Sequence, residues 1–149
     1  MDRFQEILWD LGELIELPLH IDKNHACNIL LDDKLEIQLQ MDTHEENLIV
    51  WAFIHEIPPG RFRENVLKDA LKFNATYHPF GSLAFYEKKS MLILHQFVPA
   101  EKLSGEKLME KLEEFIEEAD EWRVAIEKGG SSPAKYHSSD AKPPPFMKP

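Results

Sequence analysis

Between Leu35 and Met41 every second residue is apolar: Leu35, Ile37, Leu39 and Met41 alternate with Glu36, Gln38 and Gln40. That period matches the alternation of side chains across a β-strand, so the segment reads as a strand with one face buried and the other wet. A lone strand leaves a row of backbone groups unpaired, so it needs neighbours. Ala26 to Leu31 is a short apolar strand candidate joined to it by the turn-forming Asp32-Asp33-Lys34. Leu48 to Ile54 follows the polar stretch Asp42 to Asn47 and is apolar on both faces.

Helical periodicity brackets these strands. Phe4, Ile7, Leu8, Leu11, Leu14 and Ile15 recur at three- and four-residue spacing after a plausible N-cap, Asp2, and Pro18 marks the end. Ile57-Pro58-Pro59-Gly60 stops the third strand, and a second helix is expected from Arg61 to Asn74. Beyond Pro79 and Gly81, Leu83 to Tyr86 and Met91 to Val98 form a second hairpin across Glu87, Lys88 and Lys89. A last helix is expected from Ser104 to Lys128, with Leu108, Leu112, Phe115, Ile116, Ala119, Trp122 and Ile126 in one stripe. The order α-β-β-β-α-β-β-α predicts an α+β domain over residues 1–128, a twisted antiparallel sheet flanked by helices. Residues 129–149 carry five of the ten prolines and several serines, and are expected to be a disordered tail.

Charge and composition exclude several functions. The net charge of −10 opposes phosphate binding, which relies on Lys and Arg, so no nucleic-acid partner is expected. Residues 101–128 hold ten acids and five bases, half of that net charge, and Glu113-Glu114, Glu117-Glu118 and Asp120-Glu121 are expected on the wet face of the last helix. The longest apolar stretch, Leu48 to Ile54, is far below the ~20 residues of a membrane span. A single cysteine, Cys27, rules out an internal disulfide and fits a reducing compartment, and the N-terminus does not read as a signal peptide.

Catalytic signals are weak. The seven histidines (His20, His25, His44, His55, His78, His95 and His137) are scattered and show no i, i+4 pair of the kind a helical zinc site uses. Cys27 lies inside an apolar strand, where a thiol is a small hydrophobe with a raised pKa. Gly81-Ser82 opens a strand and is not a nucleophile elbow. No cofactor, metal site or catalytic residue is expected, and Pro143-Pro144-Pro145 is a weak polyproline signal. What stands out is a surplus of apolar surface on strands that are apolar on both sides. Either another copy or a bound partner covers it, or these are simply central strands that are well buried.

At the level of whole strings, the chain resembles the class I chaperones of bacterial type III secretion, the Tir-chaperone (CesT/SycE-like) family, over residues 2–128. Leu67-Lys68-Asp69-Ala70-Leu71-Lys72-Phe73-Asn74 resembles the family's dimer-helix string, Gly81-Ser82-Leu83-Ala84-Phe85 the strand after it, and Leu103, Gly105, Leu108, Leu112, Phe115, Ala119 and Trp122 the last helix. Departures fall at Phe73, where a small residue is usual, at Pro79-Phe80 and at Tyr86.

The resemblance implies a non-catalytic protein of the bacterial cytoplasm. It would dimerise and hold the N-terminal segment of a secreted effector or gate protein in extended form, soluble and competent for export. The implied dimer interface is Leu67, Ala70, Leu71, Phe73, Leu83 and Phe85, in a homodimer or with a sister chain. The expected client pockets are Leu11, Ile15, Ile29, Leu31, Ile37 and Leu39, so aspartate at Leu11 and Ile29 should abolish client binding and leave a folded dimer. The rival reading is a regulator of the same fold that binds another chaperone or a transcription component.

Overall fold

A computed structural model describes residues 2–137 of the 149. The elements run α1 (Arg3–Ile15), β1 (Ala26–Leu31), β2 (Leu35–Met41), β3 (Asn47–Glu56), α2 (Arg61–Asn74), β4 (Ser82–Tyr86), β5 (Met91–Pro99) and α3 (Gly105–Glu127). Single 3-10 turns stand at Glu87–Lys89 and Ala134–Tyr136. The strands form one antiparallel sheet in the order β1-β2-β3-β5-β4, so β1 and β4 are its edges.

Local chemistry accounts for the element ends. The Asp2 carboxylate accepts from the Gln5 amide at 2.8 Å while the Gln5 side chain accepts from the Asp2 amide at 2.8 Å, a reciprocal cap on α1. Asp32 and Asp33 both take left-handed φ (51° and 56°), and the Lys34 amide closes the β1–β2 turn on the Leu31 carbonyl at 2.9 Å. Aspartate tolerates that region better than most residues, because its short side chain can hydrogen-bond locally.

Register then sorts the side chains. Cys27 faces Leu39, Ile29 faces Ile37 and Leu31 faces Leu35, while β3 adds Ala52, Val50 and Leu48 opposite Ile37, Leu39 and Met41. This is the covered face. It packs under Phe4, Ile7, Leu8 and Leu11 of α1 and Leu108, Phe115, Ala119 and Trp122 of α3, all buried in one core with Val66 and Phe73 of α2. Burying each large side chain is worth roughly 1.5–3 kcal/mol, so this face anchors the fold. At Gly105 an added Cβ would lie 2.9 Å from the Asp10 backbone, and the missing side chain is what lets α3 start against α1. The Arg3 guanidinium ties the same corner by donating to the carbonyls of Ala100 (2.9 Å) and Leu103 (2.7 Å).

Two expectations need correction. Residues 129–137 do not extend away as a tail: they fold back over α2 and α3, with Ser132 and Pro133 buried. Their hold is polar and aromatic, a kind of anchoring that low hydrophobicity does not reveal. Residues 138–149, including Pro143-Pro144-Pro145, lie outside the described residues. Glu118 is also not on the wet face, being only 3% exposed beneath that returning segment.

Candidate functional site

The helices leave the second face of the sheet uncovered. Across it run Ile49, Trp51 and Phe53 of β3, paired with Phe97, His95 and Ile93 of β5, and outside them Ser82, Ala84 and Tyr86 of β4. On the other side the same face turns polar, because Ile49, Trp51 and Phe53 neighbour Gln40, Gln38 and Glu36 of β2. The strands that are apolar on both sides thus present an aromatic band, with Phe97 59% exposed. Tyr86 meets Phe53 edge-on at 6.4 Å, and His95 meets Phe97 at 6.2 Å. Burial among these rings lowers the His95 pKa, since the charged imidazolium is poorly solvated there.

A second surface lies on α2. Val66, Ala70 and Phe73 point into the core, while Leu71 points away and is 71% exposed, with Leu67 one turn earlier half-buried. A third surface surrounds the β1 edge. Leu30 is 60% exposed on the otherwise polar face between Asn28 and Glu36, and Trp9, Leu14 and Leu17 stand exposed on and after α1. Leu8, Trp9, Leu19 and Ile21 line a shallow groove beside them.

Several residues expected at these surfaces are elsewhere. Leu11, Ile37 and Leu39, expected as client pockets, are fully buried between sheet and helices and offer nothing to a partner in this chain. Ile15, Ile29 and Leu31 are partly exposed at the rim of that core. Of the expected dimer residues, Ala70, Phe73 and Leu83 are buried within the chain, Leu67 and Phe85 are partly exposed, and Leu71 is open. Phe73 turns inward because it is the hub of an aromatic cluster, stacked on His78 at 3.9 Å and edge-on to Trp122 at 5.7 Å. Sequence reasoning passed over Trp9 and Leu30 as binding candidates, whereas Trp51 and Phe97 lie on the two-sided apolar strands whose surplus surface pointed to a partner. Leu30 carried a usable signal, an apolar residue in register with polar ones.

One group resembles catalytic machinery in composition. Ser132 Oγ lies 2.7 Å from His137 Nε2 and 2.7 Å from Asp69 Oδ2. The order is wrong for a nucleophile: in a triad the carboxylate orients the histidine, which takes the serine proton. Here the carboxylate itself accepts from the serine, and Ser132 is buried. Among the described residues no three His, Cys, Asp or Glu side chains gather as a metal site, and no helix is long and apolar enough to cross a membrane.

The sequence matches the Tir chaperone protein (CesT) family over residues 6–123. The chain belongs to that family. Its fold agrees: a chain of the HopA1–SchA chaperone–effector complex is 27% identical with a TM-score of 0.65, the likeness covering 83% of this chain and 94% of that one. A chain of the ExsC–ExsE complex (23% identity, TM-score 0.68, 83% and 96% covered) is similar in fold. So is a chain from the complex of the Yersinia pestis type III secretion chaperone SycH with a fragment of YscM2 (13%, 0.59, 78% and 96%). No curated relative matches the sequence at a significant level. Within this Tir-chaperone framework the expected α+β order and antiparallel sheet are present as read from the sequence. The segment from Ser131 to His137 lies beyond the stretch that the family covers.

Proposed function

We propose that this Tir-chaperone family member is a type III secretion chaperone that dimerises and binds an N-terminal segment of a secreted effector or gate protein in extended form. Family membership supports the chaperone reading, and the HopA1–SchA structure, to which the fold is similar, is a chaperone–effector complex. The observation that carries the mode of binding is the β1 edge. Past Ala26, whose amide and carbonyl pair with Asp22, its outer side has no neighbouring strand among the described residues, and Leu30, Ile29 and Leu31 flank it with accessible apolar surface. An extended segment gains main-chain hydrogen bonds at such an edge and sets alternate side chains into neighbouring pockets. Trp9, Leu19 and Ile21 supply the nearest apolar groove. The second copy is assigned to the outward stripe of α2, Leu67 and Leu71, and to Phe85. Binding needs no cofactor and no bond is made or broken, so the role is non-catalytic, in the bacterial cytoplasm where export begins.

Co-expression with secreted proteins of the same bacterium, followed by affinity capture and protease mapping, tests this. The expected result is one secreted protein retained through a protected N-terminal stretch. Capture of a transcription component or another chaperone in its place overturns the reading in favour of the regulator.

A further inference from the structure

The segment from Ser131 to His137 makes contacts that neither the core nor the proposed client surface requires. Ser131 Oγ and Ser132 Oγ both donate to Asp69 Oδ2 of α2, at 2.5 and 2.7 Å. Tyr136 sets its ring edge-on to Phe73 of α2 at 5.5 Å and lies against Trp122 of α3 at 6.0 Å. Its hydroxyl donates to Glu118 of α3, whose other oxygen accepts from Lys135 Nζ at 2.8 Å, while Lys135 also reaches Glu121 at 2.5 Å. The Trp122 indole completes the cluster by donating to Glu118 at 3.2 Å. Four residues of this short segment, Ser131, Ser132, Lys135 and Tyr136, thus touch α2 and α3, which also meet through the edge of Phe73 on Trp122.

We propose that residues 131–137 are a clasp that locks α2 to the C-terminal half of α3 and so holds the outward face of α2 in place for a second copy. A carboxylate as buried as Glu118 is costly unless paired and hydrogen-bonded, and two of its three donors come from the clasp. Losing the clasp would leave Glu118 with one weak donor and Asp69 with neither serine. It would also strip the Phe73 cluster of one ring. The consequence falls on α2, because β3 and β5, to which α3 is packed, stay covered.

The clasp itself does not depend on the proposed dimer, whereas its effect on a second copy does, and the measurements separate the two. Hydrogen exchange of the Val66–Asn74 amides is compared in the full chain, a chain ending at His137, a chain ending at Gly130, and full-length Asp69→Ala and Tyr136→Phe. Ending at His137 should change nothing. Ending at Gly130 should speed exchange in α2 by about tenfold or more, with β3 amides changed less, as expected when one unit opens below the global limit. The two point variants, which keep the whole chain, should fall between. Unchanged α2 exchange in all variants, or equal acceleration in α2 and β3, overturns the clasp. Sedimentation of the same chains reads the second copy: a weaker dimer without the clasp supports the coupling. Accelerated α2 exchange with an unaltered dimer removes the coupling, and a full chain that is monomeric throughout overturns the dimer reading alone.

Discussion

Asn74 and Leu83 pair as two residues of neighbouring strands would. The Asn74 carboxamide donates through Nδ2 to the Leu83 carbonyl at 2.7 Å and accepts through Oδ1 from the Leu83 amide at 2.8 Å. One side chain at the end of α2 thereby satisfies both outward backbone groups of a residue on the edge strand β4.

Asn74→Ala should remove both bonds and leave the Leu83 groups without their protein partner. Its cost is on the order of 2 kcal/mol, two ordinary hydrogen bonds discounted for water that reaches the edge. Asn74→Asp keeps the acceptor but not the donor, and should fall between alanine and the parent. Urea midpoints of the three chains check this, and an alanine chain as stable as the parent would show that the pairing contributes nothing.

The closing asparagine was visible in the sequence as part of a family string, but its partner was not. That contrast holds through the whole chain. β1, β2 and α2 end where periodicity, the Asp32-Asp33 turn and Pro58-Pro59-Gly60 place them, because those signals are local. Which apolar residues face a partner is not local. Leu11, Ile37 and Leu39 look like Ile15, Ile29 and Leu31 in sequence, and only the placement of α1 and α3 over one face separates core from rim. The clasp was invisible for the same reason. Its Ser131 and Ser132 find Asp69 more than sixty residues away, and no periodic pattern records a polar contact at that separation.

Gly81→Ala should be among the most damaging single-atom additions. Gly81 has φ 122°, and a Cβ there would sit 2.3 Å from the His95 carbonyl oxygen of β5, a rigid backbone atom. Strain and clash together should cost on the order of 3 kcal/mol or more. Gly60 offers the control: its φ is 139° but nothing lies within 4 Å, so Gly60→Ala meets the conformational penalty without the clash. Thermal unfolding should rank parent, then Gly60→Ala, then Gly81→Ala, and the reverse order of the two variants would mean that the hairpin shifts to accept the methyl.

Acid should weaken the uncovered face through His95. Burial lowers its folded pKa, so below the ordinary histidine value of about 6.5 the unfolded chain binds a proton that the folded chain resists. The stability associated with neutral His95 is therefore complete above about pH 6.5 and is lost as pH falls toward the folded pKa. Trp51 and Ser82, opposite it on β3 and β4, bear no charge that would offset this. His95→Gln should flatten the slope of stability between about pH 7 and 5.5 relative to the parent, measured by denaturant midpoints. An unchanged slope would assign it to other groups.

Leu71→Asp tests the outward stripe of α2. The side chain is largely exposed, so the substitution should change the stability of the single chain by no more than about 0.5 kcal/mol. A charge placed inside an apolar contact between copies is far costlier, and association should weaken by about a hundredfold or more. Sedimentation equilibrium with a parallel unfolding curve checks both parts. A variant that associates as the parent does would move the second copy to another face.

Leu11→Asp and Leu30→Asp separate core from client surface. Leu11 is fully buried against α3 and the sheet, and an aspartate there loses the burial of a large side chain while forcing a carboxylate into the core. The combined penalty is several kcal/mol, comparable with the whole stability of a domain of this size, so the chain should unfold. Leu30 projects from the β1 edge, where an aspartate remains hydrated and the fold should be kept. If an extended client strand lies along β1, the same charge sits beside its apolar side chains, and capture of the client should fall by about tenfold or more. Circular dichroism and client capture on both variants decide it. A folded Leu11→Asp chain that fails to bind would return the pocket to the covered face, and a Leu30→Asp chain that binds normally would remove the β1 edge from the client's path.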